Sequence, residues 1–451
     1  MRDNEADIQV AEATVSFERY PYRTPLKFGA FVNTHTEILN VGVRVRGRFG
    51  LTGTATGSMP LGNTWAFPSA QEPPDRTLLA MRTLAERIAS RMVELGDWGH
   101  PVELAHRWEP VWEELAAEVS HELELKEPLP KLAVLVVASA FDAALLDAYG
   151  KLHGLNTFRC LGEQWFSEDL SVLLDERFRG EWLEDYVRTR PKETLALYHL
   201  VGALDPLTEA DVAEPVGDGL PETLRDWIRQ DRLTHLKIKL LGNDASWDIE
   251  RILAVDAVAT EVQQSLNRSQ WFYSLDFNEQ CPDAEYLVEV LRKVGEQNPA
   301  ALERVQYVEQ PTPRDLEAKP ELKLHEAAKI KPVVVDEALT SFEALRRAME
   351  LGYTGVALKA CKGLSLSLVL AAAAQKEGLM LCVQDLTCPG LSFLESVELA
   401  AHLEPVDAVE GNARQYCPAA NARWATQYPQ VFVVSNGRID PSQLTHPGLG
   451  H

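Results

Sequence analysis

Seven charged residues close a series of otherwise apolar runs in the second half of the chain: Lys237 and Lys239 in HLKIKLL, Asp276 in WFYSLDFN, Glu309 in RVQYVEQ, Asp336 in PVVVDEA, Lys359 in GVALKAC and Asp385 in LMLCVQD. Their order by type is two lysines, three carboxylates, a lysine and a carboxylate. Carboxylate oxygens are what a hard cation such as Mg²⁺ prefers, and Asp276, Glu309 and Asp336 can converge on one ion that keeps positions open for substrate. No Cys/His cluster competes for that role. A lysine is ordinarily too firmly protonated to be a base, but a neighbouring lysine and a nearby cation both disfavour its charged form. Lys237 is therefore expected to lower the pKa of Lys239. With Lys239 on one side of a metal and Lys359 on the other, a proton can be moved on either face of a bound carbon. The metal would bind a substrate carboxylate and stabilise the enediolate left when the α-proton departs.

These residues need elements to position them. Each run reads as a β-strand, and a further strand is expected at 194–203. Between the strands lie amphipathic stretches such as WDIERILAVDAVATEVQQSL, AEYLVEVLRKVGEQ and FEALRRAMELG. Repeated βα units imply parallel strands with helices outside, and so many in succession favour closure into a barrel; a doubly wound open sheet is the runner-up. No GxGxxG or GxxxxGK[ST] follows any strand, which argues against a dinucleotide or P-loop site. Singly, a lysine pair on a strand reads as a solvated edge, and an acid after a strand as the cap of the next helix. The placement of all of them at C-terminal strand ends, where parallel barrels assemble their active sites, carries the argument. Lys237 and Lys239, two apart, share a face.

The first part of the chain has another rhythm. Up to about residue 75 it reads as strands and turns, with TEILNVGVRVRGRFG (36–50) alternating β-branched and polar residues; from about 76 to 155 apolar residues recur at three and four. The stretch LAVLVVASAFDAALLDAYGKLHG is so apolar that it is expected to be largely buried. With 451 residues, 45% of them hydrophobic, the chain can build two packed domains. A formal charge of −23 would repel phosphate backbones and anionic lipid, so neither nucleic acid nor membrane is an expected partner, and an anionic substrate would need local positive charge. The start MRDNEADIQV has no signal-peptide pattern, and the run LSLSLVLAAAA is too short for a bilayer span, so a cytoplasmic location is expected. Six scattered cysteines without a CxxC pair read as inert thiols.

The order KxK, DxN, EQP, DE and a later lone lysine resembles the enolase superfamily, in the subgroup similar to muconate-lactonizing enzyme. RYPYRTPLKFG near the start, AALLDAYGKLHGLNTFRCLG at 143–162 and NGRIDPSQLTHPGLG at the end extend the resemblance over nearly the whole chain. It implies a modified TIM barrel, (β/α)7β, at 161–415, an N-terminal α+β capping domain at 1–160, and a segment at 416–451 returning to the cap. It implies Mg²⁺ on Asp276, Glu309 and Asp336, acid/base roles for Lys239 and Lys359, and substrate contact by Lys237 and Asp385. Asn278 and Glu337 match positions that support the metal ligands, and the family suggests a homo-oligomer. The related branch similar to mandelate racemase carries a histidine at the seventh strand, absent from LMLCVQDLT; His235 and His325 read as structural. Relatives often follow the sixth-strand lysine with Gly-Gly. Here Lys359-Ala360-Cys361-Lys362-Gly363-Leu364 lacks the second glycine, and Lys362 becomes an alternative to Lys359.

Proton abstraction beside a carboxylate serves several outcomes. An isomerase (racemase, epimerase or cycloisomerase) acting on a small carboxylate such as an acid sugar, a hydroxy acid or an N-acyl or dipeptide substrate comes first, a lyase resembling o-succinylbenzoate synthase second, and a non-catalytic metal- and carboxylate-binding barrel third. Substrate choice is expected from capping segments around Lys27 to Asn33 and Gly57 to Trp65, where MPLGNTWAFPSA offers an aromatic lid and Arg23 and Lys27 could meet a second anionic group.

Overall fold

A computed structural model describes residues 4–28 and 31–451. The chain opens with an antiparallel sheet of three strands, β1 (Ile8–Phe28), β2 (Phe31–Gly47) and β3 (Thr52–Pro60), in that order. Along β2 the expected alternation holds: Val41, Val43 and Val45 are buried, while Arg44 and Arg46 point outward. The buried face meets the helix Lys131–His153, flanked by the helices Pro74–Leu95 and Pro101–Glu122. Sheet and helix come so close at Gly57 that a Cβ there would lie 2.0 Å from the Ala140 carbonyl oxygen. The helix Lys131–His153 is long and apolar enough to cross a membrane, yet 94% of its most apolar stretch is buried inside the protein. Its sequence is apolar on every side because every side is packed.

Eight parallel strands follow: β4 (Leu195–Val201), β5 (His235–Lys239), β6 (Phe272–Asp276), β7 (Val305–Glu309), β8 (Val333–Val335), β9 (Gly355–Leu358), β10 (Met380–Val383) and β11 (Ala408–Glu410). Each pairs with its sequence neighbours, and β11 pairs back onto β4. That last pairing closes the barrel and excludes the open sheet. Seven helical connections run outside, from Leu224–Asp231 to Leu391–His402, so the architecture is the expected (β/α)7β barrel with an α+β cap. The eighth strand escaped the sequence reading: Ala408-Val409-Glu410 is three residues long, too short to show a period.

The strands are also shorter than their apolar runs. Lys239, Asp276 and Glu309 are the last residues of β5, β6 and β7, whereas Asp336 and Lys359 stand one residue past β8 and β9, and Asp385 two past β10. After β11 the chain adds β12 (Arg438–Ile439) antiparallel to β4, then reaches the end of the helix Lys131–His153. There the Leu449 amide donates to Asp147 Oδ1 at 3.0 Å, and Gly448 exchanges bonds with Leu155 and Thr157.

Candidate active site

Register builds the centre of the site. Lys239 is paired with Asp276 across β5 and β6, and Asp276 with Glu309 across β6 and β7, so the three stand in one row at the barrel's C-terminal mouth. Asp336 is set by the loop before it. Gln310 Oε1 accepts the Asp336 amide at 2.8 Å, while its Nε2 donates to the Thr312 carbonyl at 2.9 Å. Asp276 Oδ1 accepts the Asn278 amide at 2.9 Å, with Asn278 at φ +43° to turn the chain back. All of these acids are buried; Lys239 and Asp385, at 6%, are the most exposed of the seven residues singled out by their spacing.

The acids are drawn onto lysines. Lys239 Nζ binds Asp276 Oδ2, Lys359 Nζ lies 2.7 Å from Asp336 Oδ2, and Lys362 Nζ lies 3.0 Å from Asp336 Oδ1. The sequence offered Lys359 or Lys362; the structure places both on Asp336. Lys237 sits deepest. Its ammonium reaches Gln384 Oε1 at 2.6 Å, Glu309 Oε1 at 2.8 Å, and Asp276 Oδ2 and Glu410 Oε2 at 3.1 Å each. These acceptors are all from the protein, so contact between Lys237 and a substrate would cost one of these bonds.

Electrostatics follow from this packing. Burial pushes Lys237 and Lys359 toward the neutral amine, but the carboxylates prevail: Glu309 and Glu410 hold Lys237, and Asp336 holds Lys359, well above the usual lysine value. Lys237 does work against the charge of Lys359, as a neighbouring lysine should, and is outweighed by Asp336. Burial would raise Asp276 and Asp336, yet the lysines hold both well below the ordinary carboxylate value. Glu309 goes the other way, raised by burial and by Asp276.

The donor chemistry suits a hard cation. The candidate ligands are three carboxylates from neighbouring strands, and Glu309 Oε2, fully buried, has no hydrogen-bond partner. As they stand, among the described residues, no three acidic, histidine or cysteine side chains share a metal-holding geometry; Lys237 Nζ bridges Asp276 and Glu309, while Lys239 and Lys359 hold Asp276 and Asp336. A cation on Asp276, Glu309 and Asp336 would take over charge that the lysines now neutralise.

The remaining expected residues have definite places. Both Asp385 oxygens accept backbone amides, from Cys388 at 2.7 Å and Asn412 at 3.0 Å, so this acid joins the loops after β10 and β11. Glu337 Oε1 accepts the Trp65 indole N–H at 2.8 Å; burial, then Asp336, push its carboxyl up to about 7. Arg23 is spent on Asp218 at 2.6 Å and on the Leu220 carbonyl. Lys27 and Asn33 lie in the paired strands β1 and β2, Gly29 and Ala30 are outside the described residues, and Gly57–Pro60 belong to β3; among the described residues of the expected capping segments, Trp65 of the following stretch Leu61–Trp65 reaches Glu337 and Lys359. His235 is packed between Tyr198 and Phe272 at the far end of β5, and His325 opens the short helix His325–Ala328. Sequence reasoning missed Glu410 and Gln384. Glu410 closes a strand too short to recognise, and Gln384 carries no charge to mark it.

A capped (β/α)7β barrel with lysines and carboxylates at its C-terminal mouth defines a class of protein, and comparison with known families narrows it. Residues 219–451 match the family model described as Enolase C-terminal domain-like. The chain belongs to the enolase superfamily, in its mandelate racemase/muconate-lactonizing family. No curated protein matches by sequence. Similar solved structures include a muconate lactonizing enzyme from Pseudomonas fluorescens complexed with muconolactone (17% identity, covering 98% of this chain and 96% of that one, TM-score 0.59). An N-succinyl Arg/Lys racemase from Bacillus cereus is also similar (16% identity, 98% and 95% covered, TM-score 0.61), as is a dipeptide epimerase from Enterococcus faecalis complexed with Mg and L-Leu-L-Tyr (14% identity, 98% and 99% covered, TM-score 0.63). At these identities the likeness is one of fold.

Proposed function

We propose that the protein is a magnesium-dependent isomerase that removes the proton α to a substrate carboxylate, with Lys239 and Lys359 as the two proton-handling groups. The observation that carries this reading is the continuous sequence Lys239, Asp276, Glu309, Asp336, Lys359 around five successive strand ends. Asp276, Glu309 and Asp336 would hold Mg²⁺, which supplies positive charge where the substrate's carboxylate gains electron density. Asp336 keeps Lys359 charged against burial; once that carboxylate is committed elsewhere, burial and Lys237 favour the neutral amine a base requires. Lys237 anchors Glu309 and Asp276 from below and fixes where they point. Similar folds carry a racemase, dipeptide epimerases and a muconate cycloisomerase, which supports an isomerase acting on a small carboxylate.

The test is proton NMR in D₂O with Mg²⁺ and a panel of N-succinyl amino acids, dipeptides, hydroxy acids and acid sugars. Loss of an α-proton signal is expected, abolished by EDTA, by Lys239→Ala or by Lys359→Ala for one stereoisomer each. Asp276→Asn, Glu309→Gln and Asp336→Asn should each weaken Mg²⁺ binding by calorimetry at least about tenfold. Exchange that survives both lysine variants would sink the reading, and a new vinyl signal would make the protein a lyase.

A further inference from the structure

Trp65 comes from the capping segment yet is held by the barrel on several sides. Its indole N–H donates to Glu337 Oε1 at 2.8 Å, in the loop after β8. Its backbone carbonyl accepts Arg314 Nη1 at 3.0 Å, from the loop after β7, and Arg314 is itself clamped by Glu279 of the loop after β6, at 2.6 and 2.8 Å. Three residues earlier Gly62, at φ +49°, lies so close to Leu386 of the loop after β10 that a Cβ would approach it to 2.8 Å. In the middle of these contacts Lys359 Nζ lies 4.5 Å from the centre of the Trp65 ring, on the opposite side of the acids from Lys239. A buried ammonium stacked on an indole is among the stronger cation–π arrangements, and a ring fixed at both its N–H and its backbone imposes a direction on the lysine. Without the indole, Lys359 would keep Asp336 and its 3.4 Å contact to the Asp385 carbonyl but lose the aromatic face that confines its flexible stem on one side.

We propose that Trp65 is the positioning residue of Lys359: closure of the Leu61–Trp65 segment onto four barrel loops sets one proton-handling lysine and leaves the other untouched. This rests on the proton-transfer reading of the site. It predicts an asymmetry that a merely structural tryptophan would not produce. The stereoisomer whose α-proton exchange is lost in Lys359→Ala should be slowed about tenfold or more by Trp65→Met, while the stereoisomer that depends on Lys239 stays within about threefold of wild type. Trp65→Phe, which keeps an aromatic face but no N–H, should restore most of the loss.

The experiment follows deuterium exchange of both enantiomers of N-succinylarginine and both epimers of the dipeptide Ala-Glu, with Mg²⁺, in wild type, Trp65→Met, Trp65→Leu and Trp65→Phe. Alongside it, the ε-carbon resonances of ¹³C-lysine-labelled protein are recorded; the resonance missing in Lys359→Met identifies Lys359. Ring current should hold that signal upfield in wild type and Trp65→Phe, and it should move to the ordinary lysine position in Trp65→Met or, if that variant does not fold, in Trp65→Leu. Equal slowing of both stereoisomers, or no upfield Lys359 signal in wild type, overturns the assignment. If neither these four compounds nor the wider panel of carboxylates exchanges but the upfield signal behaves as expected, Trp65 does position Lys359 and it is the proton-transfer reading that fails.

Discussion

Lys362 donates to Asp336 twice, to its backbone carbonyl at 2.5 Å and to its carboxylate Oδ1 at 3.0 Å. With Lys359 on Oδ2, both oxygens of this acid are matched by lysines three residues apart, one just before and one ending the turn Ala360–Lys362. The turn ends at Gly363, φ +102°, which opens the helix Leu364–Lys376. Its neighbour Ser365 is tied to Asp142 of the helix Lys131–His153, its amide donating at 2.8 Å. The position of Lys362 is thus fixed from the capping side as well as from the barrel.

Removing Lys362 leaves Asp336 its Lys359 partner but strips the bonds on Oδ1 and the backbone carbonyl, and leaving buried acceptors unmatched costs about 1–3 kcal/mol. Lys362→Met should lower the free energy of unfolding in urea by about that amount, and Lys362→Met with Asp336→Asn should lose clearly less than the two single variants added together. Simple additivity would show that Lys362 does not act through Asp336.

Glu398 supplies a test by pH. It is fully buried on the helix Leu391–His402, and neither carboxylate oxygen has a hydrogen-bond partner. His402 Nδ1 stands 3.3 Å from it but donates to the Glu398 backbone carbonyl at 2.9 Å, and burial pushes that imidazole down to about 3, so it brings no charge. Burial, then Asp147, hold the Glu398 carboxyl well above the usual value. The folded state therefore binds a proton that the unfolded chain has released above about pH 4.3. Stability is full below that pH and falls as pH rises toward the folded-state value. Glu398→Gln removes the penalty, so its melting temperature should exceed that of wild type by more at pH 8.5 than at pH 5.5. A constant difference would mean that Glu398 does not titrate on unfolding.

Gly57→Ala tests the contact between cap sheet and helix. The new Cβ would fall 2.0 Å from the Ala140 carbonyl oxygen and 2.7 Å from the Ala144 amide nitrogen, both backbone atoms that cannot swing aside. Relieving this requires β3 to lift from the helix, and a loss of about 3 kcal/mol or more in thermal or urea unfolding is expected. Gly50→Ala, where a Cβ meets nothing within 4 Å but φ is +80°, should cost less. Equal costs would mean that β3 and the helix can separate freely.

What could be read from sequence divides along physical lines. The row of Lys239, Asp276 and Glu309 was legible because a polar residue ending an apolar strand stands out against its run, and the β-ladder then places such residues side by side. Cap and barrel were legible because period 2 gives way first to a helical period and then to alternation of the two. Interactions that depend on tertiary packing were not. Lys237 reads as a partner for Lys239 two residues on, but folding surrounds it with Glu309, Glu410 and Gln384 from strands far along the chain. Asp385 looks like its fellow acids in sequence, and only the folded loops after β10 and β11 reveal that its oxygens are taken by amides. Trp65 reads as an apolar residue in a lid; that its ring lies under a lysine depends on the geometry of several loops at once.

The all-round burial of the helix Lys131–His153 also has a consequence for biogenesis. Part of its cover comes from the helix Leu364–Lys376, made about 200 residues later. At about 5–20 residues per second, a ribosome leaves that flank bare for some 10–40 s. For that interval a segment as apolar as a membrane span is only partly sheathed by its own sheet, and exposed apolar surface of this kind favours aggregation. Circular permutation that brought the two helices close in the order of synthesis should shorten that interval.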